Sequence, residues 1–206
     1  MKYLMLAVLW VLWCALHSGM ISPAVTGFLR ERLGSQYRYY RCVFNSIALL
    51  TLAYVVLYEN SVGGPVLFRW SGRFVVLQIF LLIIVSFLFV AGARNYDMRH
   101  FLGLRQMTSD SSYSALTASG RLKSSGILAA TRHPWYLAAM IFIWVDYLTL
   151  DLSRLIANII LTGYLFVGTI LEERKLILEY GEDYRQYQRD VSMLFPLKYV
   201  RAKLQV

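Results

Sequence analysis

Charged side chains are scarce in this chain: 21 Lys and Arg with 12 Asp and Glu make up only 16% of its 206 residues. A soluble domain carries about 25%, so a fold whose whole surface meets water is excluded. Cysteine is nearly absent. Cys14 and Cys42 lie far apart, in or at the edge of apolar runs, which excludes a disulfide framework and a metal-ligand spacing, and no metal site is expected. No G-x-G-x-x-G occurs, so the soluble dinucleotide-type cofactor cradle is excluded as well. The first apolar stretch lacks a small-x-small cleavage site, and Trp13 before Cys14 spoils a lipoprotein-type site. That stretch therefore reads as a membrane helix rather than a secretion signal.

What the chain has instead is apolar residues, 58% of the total, in long uninterrupted runs. A helix of about 20 residues crosses a hydrocarbon core, and about 17 suffice when it is tilted or flanked. Tyr3 to Leu29, Cys42 to Tyr58 and Phe74 to Ala93 carry no charged residue. Trp135 to Leu150, broken only by Asp146, and Leu155 to Leu171 are separated by the four residues 151–154, Asp-Leu-Ser-Arg. The expected fold is an all-α integral membrane protein with about five transmembrane helices. The last two form a tight hairpin that crosses fully or dips in and returns, and a C-terminal amphipathic cytoplasmic helical tail follows. Asp146 is expected at an exposed hairpin tip and His17 as a packing histidine within the first span. Residues 1–206 read as a single membrane domain, with N-terminal helices and a loop over 1–119 and a motif-bearing region over 120–198.

The net charge of +9 does not mean nucleic acid, because the basic residues interrupt apolar runs instead of forming a face on a soluble module. They sort by side of the membrane. Residues 30–41, 94–134 and 172–206 together hold 17 Lys/Arg, whereas the N-terminus, 59–73 and 151–154 hold 4. The positive-inside rule then puts the N-terminus outside and the C-terminus, with all the motifs below, on the cytoplasmic side. Arg94 to Thr131 is the longest non-apolar stretch. It reads either as a basic loop touching anionic headgroups or as a lid over a cofactor or substrate.

After Leu171 the chain changes character. Leu176, Tyr180, Tyr184, Tyr187 and Val191 recur at helical spacing, and Gly181 breaks the pattern into two helices. Such a tail can lay one face on the membrane or on the bundle.

The company this tail keeps is specific. Arg132-His133-Pro134-Trp135-Tyr136 is followed by the hairpin, by Glu172-Glu173, by Gly181 with Tyr184 and Tyr187, and by Pro196. This resembles the isoprenylcysteine carboxyl methyltransferase and phospholipid methyltransferase superfamily, whose pattern is R-H-P-x-Y, a helical pair, E-E-x-x-L, then F-G-x-x-Y-x-x-Y and a late proline. Tyr180 replaces the Phe. Trp144, Thr149, Thr162 and the ending Val191-Ser-Met-Leu-Phe-Pro196 are most similar to its methanethiol S-methyltransferase (NnrU-like) branch. The Gly after R-H-P-x-Y and the Asn-Pro of the prenylcysteine enzymes are missing, with Leu137 and Asp151-Leu152 in their places.

The resemblance implies an S-adenosylmethionine-dependent membrane methyltransferase with a small-molecule or lipid-like methyl acceptor. A small thiol is favoured over a prenylcysteine carboxylate or an amino lipid. It implies cofactor-binding roles for Arg132, His133, Pro134, Tyr136, Glu172, Glu173, Tyr184 and Tyr187, with His133 and Arg132 also catalytic. Adjacent helical positions point about 100° apart, so only one of Glu172 and Glu173 is expected to face the cofactor. Pro134 suits the first position of a helix and biases His133 away from the helical region. Membrane lipids are the remaining expected partners. Two other classes stay open: a haem-binding NnrU-like protein with axial ligands among His17, His100 and His133, and a non-catalytic membrane interaction protein.

Overall fold

The computed structural model describes residues 1–95, 98–108 and 124–204. It has ten α-helices and two short 3-10 helices among these residues and divides into two units, each with its own core. The reading of residues 94–131 as a lid falls in part on 96–97 and 109–123, which lie outside the described residues.

The first unit is built from α1 (Lys2–Ile21), α2 (Pro23–Leu33), α3 (Tyr40–Val62), β1 (Val66–Arg69), later the short α5 (Met98–Leu102) and α6 (Leu104–Thr108), β2 (Thr149–Asp151), and the first turns of α8 (Leu152–Tyr180). α1, with 20 residues, is about 30 Å long, the thickness of a hydrocarbon core. Ser22 ends it and caps α2, accepting from Val25 N–H, while Pro23 takes the first helical position, where its missing N–H costs nothing. Leu6, Trp10, Val55 and Ala157 form the core. The Trp10 indole donates to the buried Glu59 carboxylate at 3.0 Å. His17 packs between Trp13 and Phe44, ring centroids 5.3 and 5.1 Å away, in keeping with a packing role.

A two-stranded antiparallel sheet departs from the all-helical expectation, pairing Val66 with Asp151 and Arg69 with Thr149. Asp151 then starts α8: its carboxylate accepts from Arg154 N–H at 2.9 Å and from Ser153 Oγ at 2.7 Å. The four residues read as a hairpin turn are a strand end and a helix cap.

The second unit holds α4 (Arg73–Ala93), α7 (Pro134–Val145), the rest of α8, α9 (Glu182–Asp190) and α10 (Leu197–Leu204). α4 and α7 lie side by side around Val85, Leu88, Leu137, Ala138 and Leu194. Gly92 leaves no room for a Cβ, because the Trp135 indole fills that space and donates to Phe89 O at 3.0 Å. Gln78 closes the far end of α7, donating to Val145 O and Tyr147 O at 2.8 and 2.9 Å. Asp146 is exposed there, as a hairpin tip requires.

Among the described residues, four helical stretches are long and apolar enough to cross a membrane, those of α1, α3, α4 and α8. Their outward side chains are large and apolar, including Leu50 at 71% and Val76 at 70% exposure, which fits lipid as the solvent and makes the chain an integral membrane protein. α7 has 12 residues, about 18 Å, too short to span alone.

Candidate functional site

The site grows from a backbone juxtaposition. Thr131 bridges Ser192 in parallel, Arg132 N–H donates to Ser192 O at 3.0 Å, and His133 N–H donates to Met193 O at 3.2 Å. Thr131 Oγ1 donates to Met193 O as well, at 3.2 Å. This short ladder holds the Arg-His corner against the segment that follows α9. His133 is the N-cap of α7 with φ −126° and ψ 66°, and Pro134 follows at the first helical position, as its ring demands.

Glu173, in the last third of α8, receives the corner. Its Oε1 accepts from Arg132 Nε and Nη2, both at 2.6 Å, from His133 Nε2 at 3.2 Å and from the Tyr184 hydroxyl at 3.4 Å. Oε2 accepts from Gln188 Nε2 at 2.8 Å. A carboxylate offers about four acceptor positions, so Glu173 is saturated by protein donors. Arg132 is equally committed, because Nη1 donates to Gln188 O and Val191 O. Burial makes these bonds necessary: His133 is 2% exposed, Tyr184 1% and Glu173 9%, and a buried charge without partners costs several kcal/mol.

The tyrosines complete the cluster. Tyr136 meets His133 edge-on with centroids 5.7 Å apart, and its ring packs over Gly168 of α8. Tyr184 and Tyr187 stack edge to face at 5.8 Å, with Tyr187 donating to Leu128 O at 2.5 Å. Leu176, Tyr184, Tyr187 and Val191 form one buried cluster with Tyr180 beside it, the face read from helical spacing. Burial raises the phenol pKa values of both Tyr184 and Tyr187 well above the ordinary range, and the Glu173 charge adds to the effect. Both hydroxyls therefore stay protonated donors.

Gly181 separates α8 from α9 with φ +56° and ψ −126°, a conformation that suits glycine alone. The break folds α9 back so that Tyr184 and Gln188 reach Glu173.

Of the residues expected at the site, Arg132, His133, Glu173 and Tyr184 share one bonded cluster, with Pro134, Tyr136 and Tyr187 directly around it. Glu172 stands apart: it is half-buried and makes no hydrogen bond or ion pair among the described residues. Gln188, Thr131 and the carbonyls of Leu128 and Met193 were not anticipated. Gln188 carried a signal, since it lies four residues after Tyr184 and so shares its helix face. The backbone carbonyls carried none. No group of three or more metal-ligating side chains occurs among the described residues. The haem reading finds His17 packed by aromatics and His133 turned to Glu173, while the side chain of His100 lies outside those described.

Several proteins are similar to this chain in sequence. Methanethiol S-methyltransferase 1 of Bradyrhizobium diazoefficiens is 36% identical over 104 residues, 50% of this chain and 36% of that protein. A Pseudomonas methanethiol S-methyltransferase is 27% identical over 204 residues, 92% of this chain and 72% of the relative. One from Mycobacterium tuberculosis is 38% identical over 65 residues, 32% of this chain and 26% of that protein. The match thus spans less than two thirds of the length of most of these relatives. No solved structure matches. The family described as NnrU protein matches residues 5–195, nearly the whole chain including the Arg132–Glu173 cluster, and the chain belongs to that family.

Proposed function

We propose that this protein transfers a methyl group from S-adenosylmethionine to a small thiol, at a cytoplasm-facing site around the start of α7 and the end of α8. The observation that carries the reading is the convergence of Arg132, His133 and Tyr184 on the Glu173 carboxylate. Of the Arg-His, Glu-Glu and Tyr motifs only Glu172 stands outside the bonded cluster and the residues directly around it, and relatives of the chain bear the name methanethiol S-methyltransferase. When bound, S-adenosylmethionine supplies a methyl group on a sulfonium centre, open to in-line displacement without metal or covalent intermediate.

The residues suit that cofactor. Glu172, half-buried and uncommitted one position from a saturated carboxylate, is the group left to accept hydrogen bonds from ribose hydroxyls or an amino group. Tyr136 and Pro134 line the start of α7, with an aromatic face suited to a sulfonium. Arg132 and Glu173 are positioning residues that hold the His133 ring. Because the carboxylate accepts at Nε2, the proton sits there and Nδ1 is the ring's acceptor. With the cofactor bound, His133 Nδ1 would accept the thiol proton as the methyl carbon leaves the sulfonium for the thiol sulfur, with the demethylated cofactor as leaving group, and Glu173 would stabilise the resulting imidazolium.

The test is a labelled-methyl transfer assay on purified protein offered small thiols, prenylcysteines and amino lipids. Methyl thioether formation is expected. Methyl esters on a prenylcysteine without turnover of thiols would overturn the acceptor assignment. Failure of the protein to bind the cofactor or its demethylated product would overturn the reading altogether.

A further inference from the structure

The chain beyond the motif region ends in α10, which plays no part in the site described. Its residues Leu197, Val200 and Leu204 fall within an arc of about 60° at 100° per residue. All three are open, at 72%, 48% and 81% exposure, and Phe195 just before them is at 61%. Arg201 and Lys203, both exposed, fall on either side of that arc. The last acid in the chain is Asp190, so nothing in α10 offsets its positive charge. Lys198 is already committed, donating to Gln188 O and Arg189 O at 2.9 and 2.7 Å, which ties α10 to the end of α9.

The depth of the preceding residue places this helix. Leu194 is buried against Val85 and Leu88 of α4 and Leu137 and Ala138 of α7. Val85 and Leu88 lie five to eight residues inside the end of α4 at Ala93, about 8–12 Å along the span. The chain therefore passes through the outer layer of the hydrocarbon region at Leu194 and begins α10 three residues later, within about 10 Å.

We infer that α10 is an interfacial helix seated on an anionic membrane surface. Phe195, Leu197, Val200 and Leu204 enter the acyl boundary, and Arg201 and Lys203 reach outward to lipid phosphates. The occupant of this apolar face is the leaflet into which the protein is already inserted. Under the orientation proposed above, that is the cytoplasmic leaflet, which carries anionic lipids. The inference is independent of the methyl-transfer reading.

The test uses the full-length protein in nanodiscs of phosphatidylcholine, with and without phosphatidylglycerol, and measures amide hydrogen exchange across 197–204. Slower exchange is expected in the anionic discs. The paired change Arg201→Gln and Lys203→Gln should abolish the difference, by about fivefold for each cation removed, while α7 and α9 exchange as in the parent. Equal exchange in both lipid compositions would overturn the inference. So would protection that appears only when two copies share a disc, because the face would then be an interface between copies.

Discussion

Glu172 and Glu173 are sequence neighbours in opposite situations, and the difference sets two separable expectations. Glu173→Gln leaves the buried Arg132 charge without its counter-ion, so the folded state should lose about 3–5 kcal/mol, as for other broken buried pairs. Glu172→Gln removes no contact among the described residues and should leave the melting temperature unchanged. It should weaken binding of the cofactor or its demethylated product by about 1.5–3 kcal/mol, the size of a charge-assisted hydrogen bond. Thermal unfolding and calorimetric titration on the same preparations separate the two, and the reverse pattern would exchange their roles. The sequence allowed one carboxylate of the pair to face inward, and did not say which. The choice depends on α9 returning across α8 to deliver Tyr184 and Gln188, and that path is set by tertiary packing.

At the scale of elements, four of the five expected spans and the break at Gly181 were legible because each follows from a local rule: a charge-free run long enough for lipid, and a glycine between two amphipathic segments. Gly181→Ala should cost about 1–3 kcal/mol, because φ +56° with ψ −126° is a strained backbone for any residue with a Cβ. Gly163→Ala, on a helix with open space around it, should be neutral or slightly stabilising. Chemical or thermal melts of the two variants provide the comparison, and equal losses would mean that Gly181 is not a conformational requirement. The β1–β2 pair was not legible. Val66–Arg69 has four residues without alternation, and its partner strand lies some 80 residues away. The cap at Asp151 was hidden for the same reason, since Asp-Leu-Ser-Arg is equally good as a turn or as a helix start. The tight seat of Trp135 on Gly92 could not be read from either residue alone.

For the whole molecule, the uneven distribution of 17 and 4 Lys/Arg predicts that cysteines introduced in the 59–73 loop label from outside and those near the C-terminus only after permeabilisation. A C-terminus labelled in intact cells would reverse the proposed orientation and with it the cytoplasmic site. The reaction's dependence on pH then reports on the site itself. A cysteine-type thiol has a pKa of about 8.5, so with such an acceptor and no base the rate follows the preformed thiolate and rises about tenfold per pH unit below that value. His133→Asn should slow methyl transfer by about 100-fold at neutral pH, the lower end of general-base contributions. The gap between variant and parent should narrow as pH approaches about 8.5. Tyr184 and Tyr187 do not enter this window, because burial holds both phenols protonated beyond their ordinary range. Their effect comes later. A phenol whose folded pKa is raised stabilises the fold fully below its unfolded value of about 10, and that stabilisation is lost as pH climbs from there toward the folded value. The tail should therefore loosen above about pH 10 in parent and variant alike, visible as tyrosinate absorbance accompanied by loss of activity. Initial rates across this range on parent and His133→Asn decide the matter. A gap that stays constant with pH would remove His133 from proton transfer and leave it a positioning residue.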